Sequence, residues 1–321
     1  MIYRLFNINK PIVLSILPLI CIIFWIPSLY NENKVGLLDS YSLFEFLDQM
    51  PEIMVPVLSI FIILSTAIVL SYTINKSELF SKNQYLPALI YTIIMCAANN
   101  FHALNSIILG NFLISLAISI LFRIYRQVPC KNLMFKSTSL ILLASIFYYP
   151  FLIFFPLPWI VLSIIRPFNT KEWLMPIVSL ALIIFYLILI NTINPTFLDI
   201  NIKLNTNSKL TPFDYTLTLK IVYGLLMAGC FFSLLMLLKL NAKSTNRFRK
   251  LSLLLFSVFF IFIVLSVLSF YYINLSTLLI LAAIPVSLLL PFLLIHLRKK
   301  WLSEIYLSTL FLLVLFDLYF N

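Results

Sequence analysis

LSTLLILAAIPVSLLLPFLLIHLRKK (275–300) is the stretch from which the rest of the chain is read. From Leu275 to Ile295 no side chain is ionisable, and about 20 apolar residues of helix cross the hydrocarbon of a bilayer. The run closes on His296, Arg298, Lys299 and Lys300. Such basic flanks collect on the cytoplasmic side of a membrane, where they meet anionic headgroups. The segment therefore predicts one transmembrane helix whose C-terminal end is cytoplasmic.

Working outward, ten further apolar runs lie at 11–30, 53–74, 86–98, 104–122, 137–149, 150–165, 174–192, 215–238, 251–273 and 301–319. Together they predict an all-α, polytopic transmembrane bundle of about 11 spans, one integral membrane domain over 1–321. With the N-terminus cytoplasmic and the C-terminus outside, 18 of the 22 Lys and Arg fall in cytoplasmic segments. Lys34, Lys203 and Lys209 fall outside, and Lys220 lies within a span. One missed or invented span would destroy this alternation downstream, so the charge pattern supports both count and orientation. The apolar N-terminal run is long and has no small-residue cleavage site, so it reads as a retained first span rather than a leader.

Composition excludes several functions. The chain is 62% hydrophobic and 10% charged, against about 45–50% and about 25% for a soluble domain. Its net charge of +11 is a record of topology rather than a nucleic-acid surface, which would need basic patches on a polar face. Cys21, Cys96, Cys130 and Cys230 are far apart and form no C-x-x-C pair, so neither a disulfide framework nor a metal site follows. No phosphate loop, nucleophile motif or cofactor signature is present, and no cofactor is expected.

One segment departs from simple crossings. Leu133 to Ile165 is bounded by basic residues at both ends, so it must leave and return on one side. At 1.5 Å per residue it supplies about 50 Å of helix, short of two passes of about 30 Å each. Either the hairpin is re-entrant, or neighbouring helices shield two short legs. Pro150, Pro156 and Pro158 would break it near its tip, beside the interfacial Tyr148 and Tyr149.

Candidate chemistry gathers on the outer side. The loop 31–52 holds Glu32, Asp39, Glu45, Asp48 and Glu52, nearly half of the 11 acids. Asp39 or Ser40 could cap a short interfacial helix with Glu45 and Asp48 on its polar face. A carboxylate there serves as a general base towards an acceptor hydroxyl, or the acids form a solvated face. Asn99, Asn100, His102 and Asn105 cluster on the same side, either to bind a sugar or phosphate or to cap helix ends. Lys220 either neutralises a lipid phosphate or snorkels to the outer interface.

The segments YLPALIYTIIMCAANNFHALNSIILGNFLISLAISILFRIYR (85–126) and STSLILLASIFYYPFLIFFPLPWIVLSIIRPFNTKEWLMP (137–176) resemble an uncharacterised family of polytopic inner-membrane proteins of Bacteroidota. With the acidic loop after the first span, the layout is also similar to the membrane module of GT-C glycosyltransferases. That resemblance implies an enzyme of the bacterial inner membrane taking a sugar from a polyprenyl-phosphate donor at the outer face. Asp39 best matches the essential acid of that class, with Glu45 and Asp48 behind it, and Asn99, Asn100, His102, Asn105 and Lys220 would bind substrate. The chain departs from the class in having no acidic pair close behind the first span and no C-terminal soluble domain. The competing expectation is a non-catalytic membrane subunit or scaffold of an envelope-biogenesis or protein-secretion complex. Its partners would be membrane lipids and other membrane proteins, and neither reading involves nucleic acid.

Overall fold

The computed structural model describes residues 2–6, 11–30, 54–80, 82–98, 106–125, 129–193, 217–242, 244–269 and 275–320. Among these residues every regular element is helical and no strand occurs. A short α1 (Ile2–Phe6) and a tight helical turn (Pro11–Ser15) precede α2 (Ile16–Tyr30), α3 (Met54–Ser77), α4 (Leu86–Ala97) and α5 (Ser106–Arg123). There follow α6 (Lys131–Phe147), a second tight turn (Tyr149–Phe154), α7 (Leu157–Ile165) and α8 (Thr170–Trp173). The remaining helices are α9 (Met175–Ile193), α10 (Leu217–Ala242), α11 (Asn246–Ser269), α12 (Leu275–His296) and α13 (Lys300–Phe320). Seven of the described helical stretches are long and apolar enough to cross a membrane, as a multi-pass membrane protein requires. Ile12–Phe24, Leu86–Ala97 and Tyr149–Ile165 are apolar but shorter.

The centre of the bundle is the pair α4 and α12. Every residue of α4 is buried, enclosed by α2, α3, α12 and α13. A helix of 12 residues, about 18 Å long, survives there because protein rather than lipid covers its backbone ends. The hydroxyl of Ser71 on α3 accepts the amide of Ala88 at 3.1 Å, satisfying one of the four donors that a helix start leaves open.

α12 carries Pro285 and Pro291 inside the helix. Each lacks an N–H, so the carbonyls of Leu281 and Ser287 lose their partners four residues on. Side chains of neighbouring helices bond to this same helix. Asn111 Nδ2 of α5 donates to the Ile280 carbonyl at 2.7 Å, and Ser233 Oγ of α10 donates to that of Leu289. In hydrocarbon such bonds between helices contribute about 0.6 kcal/mol each, and they specify which faces meet.

The stretch after Lys131 forms the expected hairpin. α6 ends at Tyr148, which is extended (φ −146°, ψ 105°), and the chain returns through Tyr149–Phe154 and α7. With 17 residues α6 measures about 26 Å, and the nine residues of α7 only about 14 Å. Neighbouring protein shields the tip: Phe151 is buried and its ring lies where a Cβ on Gly110 of α5 would stand. Of the two tyrosines expected at the interface, Tyr149 is exposed and Tyr148 is buried.

The basic segments converge at one end of the bundle. Arg247 Nη1 pairs with Glu78 at 2.6 Å, its Nη2 donates to the Ser77 carbonyl at 2.9 Å, and its guanidinium sits over the Tyr125 ring. Arg166 Nη2 donates to the Ile124 carbonyl at 3.1 Å, and Lys250 Nζ donates to that of Ile165 at 2.8 Å. Phe292 meets the Phe80 ring at a tilt and the Phe248 ring edge-to-face, and the Tyr85 amide bonds to the Phe6 carbonyl. Loops far apart in sequence are therefore neighbours, as alternation of direction from helix to helix demands.

Candidate functional site

Most residues that the sequence singles out lie outside the described residues: Asp39, Glu45, Asp48, Asn99, Asn100, His102 and Asn105. Lys220 is described. It sits in the first turn of α10, at the end of the bundle away from the basic segments, with an exposed side chain. Close by in the chain, Thr218 donates from Oγ1 to Asp317 Oδ1 on α13. Asp317 is buried, so this pairing brings a carboxylate, a hydroxyl and a neighbouring ammonium-bearing residue to one helix–helix seam. Tyr319 closes the same end by donating to the Ile23 carbonyl of α2 at 3.2 Å.

The best-defined polar constellation lies at the opposite end, on residues that hydropathy reading passed over as loop. Glu172 is 3% exposed, and its Oε1 accepts the Cys130 amide at 3.2 Å and faces Arg166 Nη1 at 3.5 Å. Asn169 caps the turn that carries Glu172, its Oδ1 accepting the Lys171 amide at 3.2 Å. Trp159 of α7 donates from its indole to the Trp173 carbonyl at 3.0 Å. One acid of α8 thus ties the start of α6 to the turn that leads into α9, across the mouth of the hairpin.

Beside them lies an open cleft of about 720 Å³ whose walls include Tyr125, Pro129, Arg166, Phe168, Asn169 and Glu172. Burial pushes the Cys130 thiol up to about 12, the neighbouring Glu172 carboxylate adds to the rise, and Arg166 opposes it. A thiol so raised stays protonated at neutral pH and is a poor nucleophile. The Cys130 amide and the Glu172 carboxylate join loops that are 42 residues apart. Among the described residues no group of three or more His, Cys, Asp or Glu could hold a metal ion.

A sequence signal for Glu172 did exist. It is one of only three acids within the basic segments, and a lone acid among cations is a partner in waiting. What the sequence lacks is any indication that its partners include the Cys130 amide, 42 residues away. Asn111 was equally inconspicuous, an amide in the middle of an apolar run.

Fold and composition define the class, a helical multi-pass membrane protein. No protein family, curated protein or solved structure matches the chain.

Proposed function

We propose that the chain is a non-catalytic integral subunit of the bacterial inner membrane, a scaffold on which another membrane protein of an envelope-biogenesis or secretion complex packs. The observation that carries this reading is α9. Its 18-residue apolar window is 11% buried, against 89% for that of α12. It touches α6 along a narrow stripe that includes Pro176 and Ser179, with Ser179 Oγ 2.9 Å from Ser139 Oγ. From Ile188 to Ile193, the end of this helix, every residue is exposed. A helix contributing so little to its own bundle offers an apolar flank of membrane-spanning length to a partner helix. On this reading the chain crosses eleven times with the basic end cytoplasmic, and the short legs at 86–98 and 133–165 lie shielded within the bundle.

A photo-crosslinker placed at Ile184 or Ile188, both exposed on α9, tests it in native membranes. The expected result is a discrete protein adduct that survives gentle purification, and none from the same probe at Ile22 on α2. Lipid adducts alone, with a lone monomer on purification, would sink the subunit reading.

A second reading, the GT-C-like transferase acting on a polyprenyl-linked sugar, is favoured by the Asp317–Thr218 seam beside Lys220. The acids assigned to it remain Asp39, Glu45 and Asp48. Asp39→Asn, Glu45→Gln and Asp48→Asn, each assayed for envelope glycans, test it. A normal glycan profile in all three removes the catalytic claim.

A further inference from the structure

At the basic end, α3 and α5 finish side by side on Lys76 and Arg123. Between them lies a recess of about 40 Å³ lined by Tyr72, Thr73, Lys76, Ser119, Phe122 and Arg123, where one water needs about 10–15 Å³. Lys76 Nζ donates to the Tyr72 hydroxyl at 2.6 Å, and Arg123 Nη2 approaches the same oxygen at 3.5 Å. Two cations thus converge on one neutral oxygen, where their like charges repel. No carboxylate of the described residues pairs with either; Glu172 pairs with Arg166 and Glu78 with Arg247. Arg123 Nε is buried and has no acceptor. The phenol, having accepted from Lys76, keeps its own proton to donate. Such a donor set, rich in positive charge and short of acceptors, matches a phosphate group.

The flank of α3 says where that phosphate comes from. Val57, Phe61, Ile68 and Tyr72 are exposed at helical spacing, and the stripe they form ends on Lys76. An acyl chain lying along it would bring its headgroup to the recess. We infer that the recess between the ends of α3 and α5 binds the phosphate of an anionic glycerophospholipid. The ammonium of Lys76 and guanidinium of Arg123 hold its oxygens, Tyr72 donates a further hydrogen bond, and the apolar stripe carries the chains. This site is independent of either functional reading and rests only on the chain being a membrane protein.

Native mass spectrometry of the full chain, titrated with phosphatidylglycerol, phosphatidylcholine or inorganic phosphate, tests the assignment. Each basic residue near an anionic surface contributes about a fivefold preference. Lys76→Gln, at an exposed position, should therefore weaken the tightest phosphatidylglycerol by about fivefold, and Lys76→Gln with Arg123→Gln by about thirtyfold. Lys76→Arg keeps the charge and should stay within about twofold. Arg249→Gln, a basic residue of the same end engaged on the Asn241 and Ala242 carbonyls, should change nothing. Unchanged binding by Lys76→Gln overturns the site, as does equal affinity for phosphatidylcholine. Displacement of the lipid by an equal concentration of inorganic phosphate overturns the lipid assignment in favour of a free anion.

Discussion

Glu172→Ala should be the most damaging single change at the basic end. The carboxylate accepts the Cys130 amide at 3.2 Å and balances Arg166, whose side chain is 14% exposed against 4% for Glu172 itself. Truncation leaves a buried backbone N–H without an acceptor, at about 1–3 kcal/mol. It also leaves a nearly buried guanidinium without its counter-charge, and breaking a buried pair costs about 3–5 kcal/mol. The two losses overlap, and Arg166 keeps its bond to the Ile124 carbonyl, so the expected total is about 3 kcal/mol. Glu172→Gln retains an acceptor for the amide and should lose about 1–2 kcal/mol. Replacing both partners, Glu172→Met with Arg166→Met, should be milder than Glu172→Ala, because no charge is stranded. Unfolding in mixed detergent micelles followed by near-UV circular dichroism ranks the three. If Glu172→Ala unfolds within about 0.5 kcal/mol of wild type, the level of an ordinary surface change, the pair is not what joins α6 to α8.

Four other outcomes follow from named contacts. In Gly110→Val the new side chain would occupy the space of the Phe151 ring, so the hairpin tip must move at a cost of about 1–3 kcal/mol or more, and Phe151→Ala should restore part of the loss in a thermal-unfolding series. A Cβ on Gly229 would meet the Tyr306 hydroxyl and Leu290, while one on Gly224 meets nothing within 4 Å; Gly229→Ala should therefore break the 2.9 Å bond from Tyr306 to the Leu225 carbonyl and destabilise. Gly224→Ala should instead be neutral or stabilising by up to about 1 kcal/mol, the helix-propensity difference. Because the folded Cys130 thiol lies at about 12 and its ordinary value is 9.0, its contribution to stability is present below about pH 9 and lost as pH rises towards 12; maleimide labelling of Cys130 should be slow at neutral pH and faster in Glu172→Gln, and equal rates in both proteins would contradict the Cys130–Glu172 contact.

The hairpin at 133–165 was legible because two independent signals coincided, basic residues at both ends and prolines near the tip. Chain length alone showed that its legs were short. Its support was not legible: Gly110 and Phe151 are 41 positions apart, and nothing local marks a glycine as the floor beneath a ring. The recess at Lys76 and Arg123 was half legible. Both cations fall in basic segments that the charge pattern predicts to be cytoplasmic, but only packing of α3 against α5 brings them to one phenol oxygen. Asp317 stands in the sequence as a lone acid near the end of the last apolar run, while its partner Thr218, 99 residues away, carries no signal of its own.

By itself the sequence determined the solvent of this protein and which of its basic loops gather at one end. Apolar runs measured against bilayer thickness predict the helices, and the segregation of Lys and Arg predicts which loops meet at one end. Both follow from local energetics: an unbonded backbone is costly in hydrocarbon, and charges stay near the interface. Only the tertiary structure decided which helices lie inside. Leu86–Ala97 and Met175–Ile193 read alike as runs of Leu, Ile and Ala, yet the first is buried throughout and the second is exposed along most of its length. Lipid tails are as apolar as a protein core, so hydrophobicity cannot separate the two environments. What separates them is the fit of Ser71 to the Ala88 amide, of Asn111 to the Ile280 carbonyl and of Phe151 to Gly110.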